Sequence, residues 1–170
     1  MIEPSALGIT IEGIDLGTGV TLGEPSEIQI YQSYKTRGNH TRARDHYHAF
    51  TSPVHHTASA RDYQIVFRVY DDGVAYRYIV SGDGPQKVNG EASSWHFTND
   101  SKVWYFERLT PGWKLKSYAG EWLSTRVEDL HTAPPSQLGP VQGTPLVLEL
   151  PDGLGYAAVT KAALYNYSGM

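Results

Sequence analysis

The sequence predicts an all-β fold, an antiparallel sandwich. Three observations carry that expectation: the dominant local period is two, turn signals recur at short intervals, and no window sustains apolar residues at i, i+3, i+4 and i+7 without a glycine or proline nearby. Alternating side chains point to opposite faces of a strand, so a period of two marks segments with one face to bury.

The elements follow in chain order. Leu7-Gly8-Ile9-Thr10-Ile11-Glu12 alternates and breaks at Gly13, and Glu27-Ile28-Gln29-Ile30-Tyr31 alternates again. Arg44 to Phe50 is short, aromatic and alternating. The clearest element is Asp62 to Val80: Tyr63, Ile65, Phe67 and Val69 share one parity, as do Val74, Tyr76, Tyr78 and Val80. Asp71-Asp72-Gly73 between them is a hairpin signal, because glycine tolerates the positive φ of primed turns. A loop at Asp72-Gly73 sets Phe67 against Tyr78 and Arg68 against Arg77. Like charges directly opposite are unfavourable. Either the register slips, with Asp71-Asp72 as the loop, or a carboxylate stands between the guanidiniums. The expected outcome there is an inter-sheet salt bridge, ahead of an anion site. Pro145 to Leu150 and Tyr156 to Thr160 read as late strands around the turn Pro151-Asp152-Gly153. The best helical candidate, Glu121 to Leu130, has Trp122, Val127 and Leu130 at poor spacing, so a helix is not the leading reading. Leu109 to Pro145, rich in proline and glycine, reads as a surface excursion of the kind that borders binding sites.

A length of 170 residues fits one domain spanning 1–170. With 14 basic and 18 acidic residues the net charge is −4, which leaves no basic stripe for a nucleic-acid backbone. Zero cysteines exclude disulfides, thiolate zinc sites and cysteine nucleophiles. No apolar run approaches the roughly 20 residues of a membrane span. The start, Met1-Ile2-Glu3-Pro4-Ser5, lacks the basic and apolar regions of a signal peptide.

Chemistry-bearing motifs are few. No phosphate loop, nucleophile elbow or dinucleotide fingerprint occurs. The histidines His40, His46, His48, His55 and His56 cluster. On a strand, His46 and His48 share a face, whereas His55 and His56 point apart. Two imidazoles can begin a zinc site, but no third ligand is evident, and the leading reading is hydrogen-bonded strand histidines. Trp95, Trp104, Tyr105, Trp113, Tyr118 and Trp122 crowd one stretch. About half should be core, with Trp113 and Trp122, in the irregular segment, as platforms for a sugar ring or a protein surface.

Taken in order, Leu7-Gly8-Ile9 to Asp15-Leu16-Gly17, Arg44-Asp45-His46-Tyr47 and Tyr70-Asp71-Asp72-Gly73-Val74-Ala75-Tyr76-Arg77-Tyr78 form a recognisable series. Val103-Trp104-Tyr105, Pro145 to Leu148, Gly155 to Thr160 and Ala162 to Met170 continue it. The series resembles the N-terminal domain of glycoside hydrolase family 97, the bacterial α-glucosidase and α-galactosidase family. The resemblance implies a β-supersandwich of the galactose-mutarotase type, exported to the periplasm or beyond. It implies strands ahead of Leu7, so the chain reads as truncated at its N-terminus. A catalytic (β/α)8 barrel is the implied partner, holding the catalytic acids and leaving this chain with none. Arg44, His46, His48, Trp113, Trp122 and Lys161 are the candidate contacts to an α-linked sugar or to the barrel. The family's calcium is doubtful in this chain, because Lys161 stands at an acidic position and an ammonium cannot ligate a cation. His48-Ala49 likewise replaces an Asn-Glu pair common in the family. The competing expectations are a free-standing carbohydrate-binding module and a structural remnant without sugar binding.

Overall fold

The computed structural model describes residues 2–108, 122–130 and 141–162. Its strands, numbered in chain order, pair antiparallel throughout, and the described helical turns are both of the 3-10 type. The expected all-β class is therefore correct. Two compact units form, one from Leu7–Ala92, the other from the residues before Leu7 and after Ala92.

In the Leu7–Ala92 unit, the long strand β6 (Arg42–His56) organises a five-stranded sheet. On one side β5 (Ser26–Lys35) pairs with its first ten residues and β4 (Val20–Leu22) with its last three. On the other side lie β7 (Arg61–Tyr70) and then β8 (Val74–Val80). A second sheet holds β3 (Ile14–Asp15), β2 (Ile9–Ile11) and β9 (Val88–Glu91). Ile9, Ile11, Leu16, Val54 and Tyr63 are buried in this unit. The Tyr63 hydroxyl donates to the Leu16 carbonyl at 2.7 Å, and the Tyr76 hydroxyl to Glu91 Oε1 at 3.1 Å, so the two sheets are joined by hydrogen bonds as well as by apolar packing. At Gly17 the backbone passes so close that an added Cβ would stand 2.8 Å from the Cα of Gly8. Only glycine permits that approach.

The hairpin takes the slipped register. Val69 faces Val74, Phe67 faces Tyr76, and the Tyr70 N–H donates to the Gly73 carbonyl at 2.8 Å, which makes Asp71-Asp72 the loop. Arg68 then lies opposite Ala75 and Arg77 opposite Val66, so the two guanidiniums do not face each other. The slip is by two residues, and it keeps the apolar parity on one face.

In the other unit, β1 (Ile2–Glu3) pairs with β10 (His96–Phe97), and β12 (Glu107–Arg108) with β14 (Val141–Gln142). The main sheet runs in the order β13 (Leu123–Arg126), β11 (Lys102–Tyr105), β15 (Leu146–Leu150), β16 (Gly155–Val159). Phe97, Val103, Tyr105 and Leu148 are its buried cluster, with Trp95, Leu146 and Val159 packed against it. The Glu121–Leu130 segment, as far as it is described, is a strand followed by one 3-10 turn at Val127–Asp129. Cross-strand pairing with β11 decides this where the helical spacing was poor.

Candidate functional site

Arg44, His46 and His48 occupy alternate positions of β6 and so share a face, as the alternation implied. Their partners on β5 are Ser33, Tyr31 and Gln29. The His46 ring meets Tyr31 edge to face, with centroids 4.7 Å apart, and its Nδ1 lies 3.6 Å from Asp71 Oδ2. His48 Nδ1 lies 2.9 Å from Glu27 Oε1, diagonally across the ladder. Arg44 is exposed at the same face. Val69 and Val74 continue this face on β7 and β8, both partly exposed. The result is an open wall of imidazoles, carboxylates, a phenol and valine methyls. Such a wall can donate to and accept from hydroxyl groups while offering apolar surface to carbon-bound hydrogens.

Two further histidines of the cluster serve elsewhere. His55 points to the opposite face, where its Nδ1 lies 2.7 Å from Asp62 Oδ1. His56 is buried, with Nδ1 2.7 Å from the Ser59 hydroxyl. Among the described residues, no three His, Asp or Glu side chains are grouped to hold a metal ion. Lys161 is half-buried just after β16.

Arg68 has an aromatic partner in place of the expected inter-sheet salt bridge. Its guanidinium sits 4.6 Å from the centre of the Tyr47 ring. A hydrogen bond to Tyr70 is the main cause that holds its pKa above the ordinary value, against burial, which pulls it down. The Tyr63 hydroxyl is also shifted up, first by burial and then by the Asp15 carboxylate.

Trp122 is 53% exposed, edge-on to Phe106 with centroids 5.8 Å apart. It lies in the same unit as Lys161, whereas the histidines and Arg44 belong to the Leu7–Ala92 unit. Trp113 lies outside the described residues. Two exposed aromatics went unmarked as surface groups in the sequence. Trp104 is flanked by buried Val103 and Tyr105, and Tyr156, the second residue of β16, lies on the face opposite half-buried Ala157. Strand parity, applied to Val103-Trp104-Tyr105, was the signal that separates Trp104 from its core neighbours.

Comparison with known proteins follows the same direction. A family model described as Glycosyl-hydrolase 97 N-terminal matches residues 1–170. A retaining alpha-galactosidase of Bacteroides thetaiotaomicron is 28% identical over 100% of this chain, and a probable retaining alpha-galactosidase of Streptomyces bingchenggensis is 35% identical over 61% of it. The matched regions span only 25% and 16% of those two proteins. Among solved structures, a beta-arabinopyranosidase matches with a TM-score of 0.72 and 22% identity, over 94% of this chain and 26% of the other, which establishes a shared fold. With its antiparallel all-β architecture and a family match along its whole length, the chain belongs to the N-terminal domain family of glycoside hydrolase family 97.

Proposed function

We propose that residues 1–170 act as a non-catalytic N-terminal domain of an α-glycoside hydrolase, supplying walls to the sugar pocket and a packing surface for a catalytic barrel. One observation carries this reading: the family match covers the whole chain, yet the chain spans a quarter or less of the length of its curated relatives. Most of each relative therefore lies outside the matched region, which supports a catalytic portion elsewhere in the parent protein.

The open wall at Arg44, His46 and His48 is the proposed contact surface in the Leu7–Ala92 unit. Trp113, Trp122 and Lys161 are the proposed contacts in the other. No step runs through calcium. The test is turnover by the purified chain. It should hydrolyse neither p-nitrophenyl α-D-galactoside nor the α-D-glucoside, and hydrolysis that disappears in His46→Ala or His48→Ala would instead make the chain an enzyme in its own right.

A further inference from the structure

The outer face of the four-stranded sheet carries groups that the proposed function does not use. Lys102 on β11 stands opposite Glu149 on β15, and Glu149 opposite Tyr156 on β16. Side chains directly across a ladder share a face, so an ammonium, a carboxylate and a phenol stand in one row. Tyr156 is 74% exposed, although its strand neighbours on the other face pack into the core. Lys102 Nζ lies 4.1 Å from the centre of the Trp104 ring, which fixes the ammonium beside the row. Lys102, Glu149 and Tyr156, together with Asp100 and Asp152, line an open depression of about 460 Å³. Small-molecule sites commonly occupy this size range.

The turn that closes the depression has an unusual backbone. Asp152 takes φ 57, followed by Gly153 at φ 69 and Gly155 at φ 109. A non-glycine residue in the left-handed region costs free energy, and such residues concentrate where a side chain must be aimed. Asp152 and Tyr156 both line the depression.

We infer that this depression is a binding site for a pyranose ring of a neutral saccharide. The Tyr156 ring presents a flat apolar face to the axial C–H groups, Glu149, Asp100 and Asp152 accept from hydroxyls, and Lys102 donates to them. An anionic ligand would meet the Glu149 and Asp152 carboxylates against the Lys102 ammonium, Asp100 being paired with Arg126 at 3.6 Å. A bare metal ion would need grouped donors, and none is found among the described residues. A second cavity, lined among others by Leu22, Pro53, His55, Asp62, Gln64 and Ile79, offers no comparable platform, because its Tyr63 is buried and its hydroxyl is spent on Leu16.

This site is independent of the pocket-wall role and is tested apart from turnover. The chain is titrated with methyl α-D-galactopyranoside and, separately, with maltotriose, with amide NMR shifts as the readout. At least one probe should give saturable shifts centred on Lys102, Glu149 and Tyr156. Tyr156→Ala should weaken binding about tenfold, the scale of one stacked aromatic contact. Tyr156→Phe, which keeps the ring, should bind within about twofold of the parent chain. Absence of saturable shifts at these amides with both probes, or unchanged affinity in a folded Tyr156→Ala chain, would overturn the assignment.

Discussion

The two ends of the five-stranded sheet present the same face to different surroundings. At the far end of β6, Val54 and His56 share a face with Tyr63 of β7, and all three are buried. There the Tyr63 hydroxyl reaches the carbonyl of Leu16, which is fully buried. Toward the start of β6 the same face carries His46 and His48, with Tyr31 77% exposed and Val69 44% exposed. Alternation is equally good at both ends. What differs is the segment laid over them, since the closed end has Leu16 and the short β2 sheet. A strand pattern thus says which residues share a face, and only the rest of the chain, or a partner, says whether that face is covered.

The largest test of this contrast is Leu16→Ala. Truncating a fully buried leucine should lower unfolding stability by about 2–5 kcal/mol, while Val69→Ala at the open end should cost under about 1 kcal/mol. Urea unfolding of both variants checks the difference, and equal losses would erase the distinction between the ends.

Next in size is Tyr63→Phe, which leaves the buried Leu16 carbonyl without its donor and should cost about 1–3 kcal/mol. Its pH dependence has a definite sign. The native pKa of Tyr63 is raised above 10.0, so the unfolded state releases the proton first as pH rises. The contribution is fully present below pH 10.0 and is lost as pH climbs from there through the raised native value. Alkaline denaturation curves should therefore fall less steeply in Tyr63→Phe than in the parent chain.

The smallest expected effect is at the open end. Glu27→Gln weakens the pairing with His48, but both side chains are about half exposed, so the loss should stay below about 1 kcal/mol and shrink further in salt. A loss as large as that of Leu16→Ala would mean the open end is part of the core after all.

Much of the fold was legible because the period-two signal is local. The strands around Ile9, Ile28, Tyr47, Phe67, Tyr76, Leu148 and Ala157 all formed where alternation placed them. The hairpin was legible only to within two residues, because both registers keep the apolar parity, and the opposition of Arg68 and Arg77 is what the observed one avoids. The shared face of His46 and His48 and the divergence of His55 and His56 followed from the same rule. Burial was less accessible. Nothing local to Leu16 says that it receives a tyrosine hydroxyl from a residue 47 positions away. Nor does the aromatic run around Trp104 reveal that Tyr156 joins its side of the sheet, since that depends on a ladder through β15.

The central claim is that the open wall exists to be covered by a catalytic partner. Histidine modification by diethyl pyrocarbonate, mapped by mass spectrometry, tests it most directly. In the isolated chain His46 and His48 should react while buried His56 stays protected. In a full-length protein that carries the proposed catalytic portion, His46 and His48 should become protected as well. Equal reactivity of His46 and His48 in both forms would contradict the account.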